Sequence, residues 1–187
     1  QEIIWKIIDK YFKENPYNLV AHHLDSYNDF LAKGIFQLFR ENNPIRWIEG
    51  NKNEDSESGN ECLLYIGGKS GTNVYFGKPV IYDEANDKPY PHYMYPNDAR
   101  LRNMTYGVTI HYDVEIEMNN IVDEKIQHIS TVLEKVYLGC FPIMLHSNLC
   151  ILKGLSTDTR FNLGECRNDL GGYFIIDGKE KVIVSQE

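Results

Sequence analysis

GGYFIIDGKEKVIVSQE, residues 171–187, sets two short runs of β-branched and aromatic residues around a tight-turn dipeptide. Tyr173–Ile176 and Val182–Val184 have strand composition. Asp177-Gly178 between them tolerates the positive φ angles of a two-residue type I′ turn. An antiparallel hairpin is predicted. With Asp177 and Gly178 as the loop, Ile176 faces Lys179 and Phe174 faces Lys181, so side-chain alternation brings both lysines to one face. Two readings of that face stay open at this level: a solvated edge whose lysines discourage strand pairing, or a binding site.

Upstream, the same period of two recurs on a larger scale. Tyr106, Val108, Ile110, Tyr112, Val114, Ile116 and Met118 alternate with Gly107, Thr109, His111, Asp113, Glu115 and Glu117, which predicts a strand with one buried and one wet face. Cys62–Ile66 and Val74–Tyr82 read as strands before it. Ile126–Val136 and Tyr137–Leu145 continue the sheet, with a turn or bulge expected near Leu138-Gly139. The first part of the chain has helical periodicity instead. Ile3, Ile4, Ile7, Ile8, Tyr11 and Phe12 form an apolar stripe that ends at Asn15-Pro16, and both helices of this region are expected to spend their apolar residues on core packing. The second is expected to begin near Asp25-Ser26 with Ser26 as its cap. Phe30, Leu31, Ile35, Leu38 and Phe39 line its inner face, and it ends near Asn42-Asn43-Pro44.

The fold class expected is therefore α+β, with N-terminal helices packed on a mixed, largely antiparallel β-sheet in a single domain over residues 1–187. Within it, residues 50–61, GNKNEDSESGNE, are polar and acidic with nothing to bury, and are expected to form a mobile loop.

The chain has 187 residues, 42% hydrophobic and 12% aromatic, enough for a substantial core. No apolar run reaches membrane-spanning length, and QEIIWKIIDKYF mixes charge into its apolar stripe in a way that a signal peptide does not. Cys62, Cys140, Cys150 and Cys166 form no C-x-x-C and no grouping with histidine at zinc-ligand spacing, so they read as free buried thiols in a reducing, intracellular compartment. The net charge of −8 argues against a free-standing nucleic-acid binder, although a local basic face is compatible with it. Lys88–Tyr106, KPYPHYMYPNDARLRNMTY, is expected to be a loop between strands. Its tyrosines with Arg100 and Arg102 fit either a base-stacking surface or a packed loop in which the arginines hold carboxylates and carbonyls. Gly67-Gly68-Lys69-Ser70-Gly71-Thr72 lacks the glycine spacing and following helix of a phosphate-binding loop, and reads as a hairpin turn.

Four segments carry a resemblance to a known family. GGYFIIDGKEKVIVSQE resembles the G-G-[YF]-F-I-[IV]-[ND]-G-x-E-[KR]-V-[IL]-[IV]-[SA]-Q segment of the second-largest subunit of multisubunit DNA-directed RNA polymerases, the counterpart of the bacterial β subunit. Tyr95–Tyr106, YPNDARLRNMTY, is similar to the Y-P-x-x-A-R-L-R-N-x-T-Y of the eukaryotic, archaeal and large-DNA-virus versions. Leu24–Phe30, LDSYNDF, resembles the Q-L-D-S-[FY]-[ND]-x-F of the family, and Gly139–Leu145, GCFPIML, resembles G-x-[IVF]-P-[IVL]-M-[LV]. The matches follow the family's order along nearly the whole chain. His146-Ser147-Asn148 departs from the family's usual Arg-Ser-Lys and removes two positive charges from that loop.

The resemblance implies the first portion of a protrusion-like domain, truncated at its C-terminus, since the sequence begins with Gln and stops at Glu187 while the strand pattern continues. It implies a non-catalytic module of a nucleotidyltransferase, lining the cleft and helping to hold the RNA–DNA hybrid and upstream DNA during transcription. No D-x-D-x-D cluster occurs. In the family the catalytic Mg²⁺ is held mainly by the largest subunit, so no catalytic residue and no cofactor are expected within this fragment. Lys181 is the position implied to meet the nucleic-acid backbone, with Lys179 second and Gln186 within reach of the same surface. The implied partners are the other polymerase subunits, the largest above all, with template DNA and the hybrid. The implied setting is the nucleus or cytoplasm, or a virion or viral factory for a viral source, with no membrane. The alternative reading is a polymerase-derived scaffold or assembly factor that performs no RNA synthesis.

Overall fold

In the computed structural model, which describes residues 2–49, 60–85, 88–122, 125–184 and 186, helices precede and interrupt a mostly antiparallel set of strands, an α+β fold. The elements in order are α1 (Glu2–Glu14), α2 (Ala21–Asp29), a π-helical turn (Phe30–Gly34), α3 (Ile35–Asn42), β1 (Ile45–Glu49), β2 (Asn60–Ile66), β3 (Val74–Phe76), β4 (Val80–Ala85), β5 (Lys88–Tyr93), α4 (Pro96–Leu101), β6 (Gly107–Val122), β7 (Lys125–Pro142), α5 (Thr157–Asn162), β8 (Phe174–Ile176) and β9 (Lys179–Lys181). The chain divides into two compact units. One comprises Gln1–Leu31, Lys78–Val108 and Phe141–Glu187; the other comprises Ala32–Gly77 and Thr109–Cys140. Residues 50–59 of the acidic segment lie outside the described residues, and its last two, Asn60 and Glu61, open β2.

The second unit is built on β6. β2 pairs with it from Ile66↔Val114 to Glu61↔Asn119, β3 pairs with it from Val74↔Tyr112 to Phe76↔Ile110, β1 flanks β2, and β7 also pairs with β6. The expected strand Val74–Tyr82 is therefore two strands. Gly77 donates its N–H to Thr109 and still follows β6, but Pro79 has no N–H to continue the ladder, and β4 turns away to pair with β5. Gly67–Thr72 is a turn as expected, but it joins β2 and β3, which do not pair with each other: Asp113 of β6 accepts the N–H of Gly67 at 2.8 Å through its carbonyl and donates its own N–H to Asn73 at 3.1 Å. Asp113 stands on the face read as wet, yet its side chain is buried. Its carboxylate accepts the N–H of Lys135 at 2.9 Å and the hydroxyl of Tyr75 at 2.8 Å, and these bonds hold it below the usual carboxylate range. The irregularity of β7 consequently sits at Lys135, φ +51°, and not at Leu138-Gly139, which continues the strand.

Two helical expectations need correction. The second helix begins at Ala21, so Asp25 and Ser26 lie inside it and no side chain caps it; a π-helical turn then carries it into α3, which ends at Asn42 as the Asn-Asn-Pro sequence predicts. α1 ends at Glu14 as read, but none of its residues is buried, and Ile3, Ile4, Trp5 and Ile7 stay exposed among the described residues. Of the expected inner face of the second helix, only Ile35 is buried, while Phe30 and Leu38 are exposed.

The first unit is organised by Tyr106, which has no solvent exposure. Its backbone N–H goes to Ile175 at 3.0 Å, its carbonyl receives Ile143 at 2.8 Å, and its hydroxyl accepts the N–H of Ile151 at 3.1 Å. Val108, Ile143, Leu145, Leu152 and Ile175 are buried with it. Beside them Leu24, Met144 and Phe174 form a second apolar cluster joined by Val20, Tyr27 and Ile176. Tyr106→Phe is expected to orphan the Ile151 amide and lower stability by about 1–3 kcal/mol. Tyr106→Ala adds a cavity and should cost about 3–5 kcal/mol, an ordering that denaturant titration of the two variants checks.

Candidate nucleic-acid interface

The closing hairpin has the register read from its sequence. Phe174 faces Lys181, Ile175 faces Glu180 and Ile176 faces Lys179. The turn residues Asp177 and Gly178 adopt φ +50° and +73°, and a side chain at Gly178 would run into Asn103. The second strand is shorter than expected. Pairing stops at Lys181, and Val182, Ile183 and Val184 run on unpaired and exposed because β8 begins only at Phe174 and offers no further partner.

Directly opposed residues share a face, so Lys179 and Lys181 lie with Ile176 and Phe174, while Glu180 lies with Ile175. Both lysines are exposed, as is Gln186. Phe174 belongs to the apolar cluster of the first unit, and Ile175 has no exposure at all. Two cations are thus carried on a strand whose partner is fixed on both faces.

The opposite face is fixed by Arg100 of α4. Its Nη1 donates to both carboxylate oxygens of Glu165 at 2.9 Å, its Nη2 to the Tyr173 hydroxyl at 2.8 Å, and its Nε to Glu180 at 2.9 Å. Glu165 is buried, and its side chain is 2% exposed against 20% for Arg100. Tyr173 in turn donates to Asp169 at 2.7 Å. Burial, the carboxylate hydrogen bond and the carboxylate charge push the Tyr173 hydroxyl well above the usual phenol range. Of the two readings of Arg100, the geometry gives the one in which it holds carboxylates. The expected loop around it contains β5 and α4: Pro96 starts the helix at a position that needs no N–H donor, and the Asp98 carboxylate accepts the Tyr95 N–H at 3.2 Å. Sequence reading singled out Arg100 but not Glu165, Tyr173 or Glu180, which stand 65, 73 and 80 positions away.

His146 and Ser147 are buried, and Asn148 is exposed. His146 has φ +65°; its ring lies edge-on to Tyr17 and within 3.2–3.3 Å of Arg160 Nη1. Burial lowers the His146 pKa from its ordinary value, with the Arg160 charge acting in the same direction and Asp169 opposing. Lys69 of the glycine turn is engaged by Glu117 at 2.5 Å and Glu115 at 3.5 Å. Of the four cysteines expected as buried thiols only Cys150 is buried; Cys62 is half-buried, Cys140 and Cys166 are exposed, and all four are free. Among the described residues no three of His, Cys, Asp and Glu gather in a way that could hold a metal ion, so no step is assigned to one. No helix of the described residues is long and apolar enough to cross a membrane.

An α+β module with an anchored, lysine-bearing hairpin behind a Y-P-x-x-A-R-L-R helix defines the chain as an N-terminal piece of a multisubunit RNA polymerase subunit. It belongs to the RNA polymerase beta subunit family, whose model matches residues 18–187, and corresponds to the N-terminal region of the second-largest subunit. Among curated relatives it is 32% identical over all of its length to the DNA-directed RNA polymerase II subunit RPB2 of Encephalitozoon cuniculi. It is 33% identical over all of its length to the DNA-directed RNA polymerase II subunit 2 of Arabidopsis thaliana. It is 34% identical over 98% of its length to the DNA-directed RNA polymerase subunit Rpo2N of Methanothermobacter thermautotrophicus. The chain spans 15% of the two eukaryotic relatives and 30% of the archaeal one.

Arg100→Ala leaves the Glu165 carboxylate buried without its cation. A loss of about 2–3 kcal/mol is expected, the low end for breaking a buried pair because one edge of the guanidinium meets solvent, and Arg100→Lys should restore little of it; chemical denaturation reads both. The depressed His146 pKa has its own signature. Stability is complete above the ordinary histidine value of about 6.5 and is lost as the pH falls from there through the folded value, because the unfolded chain binds the proton more readily. His146→Asn, which tolerates the same φ, should flatten the dependence of the unfolding midpoint over that window.

Proposed function

We propose that this chain works as a non-catalytic module of a DNA-directed RNA polymerase, lining the cleft and helping to hold the RNA–DNA hybrid and upstream DNA through the hairpin's lysine face. Lys181 makes the principal phosphate contact, Lys179 a second, and Gln186 reaches the same surface. The partners are the other polymerase subunits, the largest above all, together with template DNA and the hybrid. Mg²⁺ and the catalytic carboxylates come from the largest subunit, and this chain contributes no reacting group. The module acts where that enzyme transcribes, in nucleus or cytoplasm.

The observation that carries this reading is the pairing of Phe174 with Lys181 and Ile176 with Lys179 in a hairpin anchored on both sides. A lysine ammonium is a compact point charge on a flexible stem, suited to phosphate oxygens without reading sequence. Glu180, which would repel a phosphate, is held away by Arg100 on the other face.

In the complete enzyme, Lys181→Glu should raise the dissociation rate of elongation complexes several-fold at moderate salt. It should also lower the slope of log stability against log salt by about one, the signature of one lost phosphate contact. Lys179→Glu should act in the same direction with smaller effect. Elongation-complex lifetimes that match the wild type across the whole salt series would rule this role out.

A further inference from the structure

Beside the lysine face lies a cleft of about 440 Å³, within the range of small-ligand sites. One wall is a stripe of α2 and the π-helical turn that follows it. His23, Ser26, Tyr27 and Phe30 stand at i, i+3, i+4 and i+7, the spacing that brings side chains onto one helical face. His22 lies at its edge, its ring 4.0 Å from that of His23. Met144 and Ile183 form the other wall. Four of the lining side chains are flat rings, and none is acidic.

The cleft and the lysines are joined by short steps. Ile183 lies two residues after Lys181. The Tyr27 ring meets Phe174 with centroids 5.6 Å apart, and Phe174 is the cross-strand partner of Lys181. Tyr27 is held in place, since its hydroxyl donates to the Pro142 carbonyl at 2.8 Å and burial pushes its pKa up to about 12. It presents its ring to the cleft while its polar end is already engaged. Phe30 and Ile183 are 39% and 61% exposed, so an apolar side chain on each wall stands open to a ligand.

We infer that this cleft receives an unpaired nucleobase of a single strand whose phosphates run along Lys179 and Lys181. The argument rests on the phosphate-contact reading of those lysines and adds a base site to it. The ligand must be flat and largely apolar to lie between Phe30, Tyr27 and Ile183, and anionic beyond the cleft to match two exposed cations. A nucleotide in single-stranded RNA or DNA has both properties, and a paired base does not, because its faces are already stacked in the duplex. Ser26 and the imidazoles of His22 and His23 offer hydrogen-bonding groups to the base edge, without a fixed donor pattern that would select one base.

The test uses elongation complexes of the complete polymerase carrying 4-thiouridine or 4-thiothymidine at successive single positions, with photocrosslinks mapped by peptide mass spectrometry. An unpaired position is expected to crosslink within His22–Phe30. Phe30→Ala and, independently, Ile183→Glu at an exposed site should reduce that crosslink about tenfold, and Phe30→Tyr should retain it. The RNA and DNA series distinguish which strand supplies the base. Crosslinks to this peptide from paired positions only, from no position, or undiminished in both Phe30→Ala and Ile183→Glu would overturn the inference. The two readings separate by salt. Stacking loss in Phe30→Ala should be nearly independent of ionic strength, whereas the effect of Lys181→Glu is not. A salt-independent Lys181→Glu with the crosslink intact would remove the phosphate reading alone.

Discussion

The guanidinium of Arg100 is the group on which the disposition of the closing hairpin depends. Four hydrogen bonds from one rigid plane reach a buried carboxylate, a solvent-side carboxylate and a phenol, and each acceptor group belongs to a different stretch of chain. Glu165 could not remain buried alone, since an unpaired carboxylate in that position would cost several kcal/mol. The pair is therefore a constraint before it is a stabilisation. It brings α4, the turn after α5 that carries Glu165, Tyr173 just ahead of β8, and Glu180 of β9 to one point. Because Glu180 is drawn to that point, the pleat leaves its neighbours Lys179 and Lys181 on the other side. A structural arginine thus determines which way two surface lysines face.

The hairpin was legible because every cue in it is local. Asp-Gly allows only a few turn geometries, the runs on either side have strand composition, and register follows by counting. The end of its second strand was not legible, because Val182–Val184 needed a partner and the length of β8 is set by Gly171-Gly172 and by the Leu145 backbone they approach. The long strand β6 was read from alternation, but alternation reports average polarity and not hydrogen-bond supply. Asp113 is buried on the polar face because Lys135 and Tyr75 satisfy it, and both are distant in sequence. The start of α2 at Ala21 eludes the sequence for a related reason. Ser26 has the chemistry of a cap, yet five earlier residues were already helical, held by bonds such as Leu24 N–H to Val20. The prolines of Lys88–Tyr106 suggest a loop, although Pro96 at the first position of α4 is where a proline starts a helix.

The candidate interface divides the same way. The lysines were visible from the spelling and spacing of one hairpin, and their exposure follows from its register. The ring stripe of α2 was partly visible, since Phe30 was assigned to the inner face of a helix. The helical spacing does not indicate that Phe30 stays exposed where the helix passes into the π-helical turn at Phe30–Gly34, lining the same cleft as Tyr27 and Ile183.

The proposed phosphate contact requires that the cations of an acidic chain be distributed unevenly, and the ion pairs show how. Arg46 is taken by Glu61, Lys69 by Glu117, Arg100 by Glu165 and Arg167 by Asp158. Lys179 and Lys181 have no ion-pair partner among the described residues. The net charge of −8 would oppose a polyanion at long range. At physiological ionic strength, however, charges separated by more than about 8 Å through solvent are largely screened. A phosphate at the hairpin therefore responds mainly to the two ammonium groups next to it, while the carboxylates elsewhere on the surface contribute little. What matters for such a module is the sign of the charge within one screening length of the strand, and Arg100 neutralises Glu180, the carboxylate that stands between the two lysines in sequence.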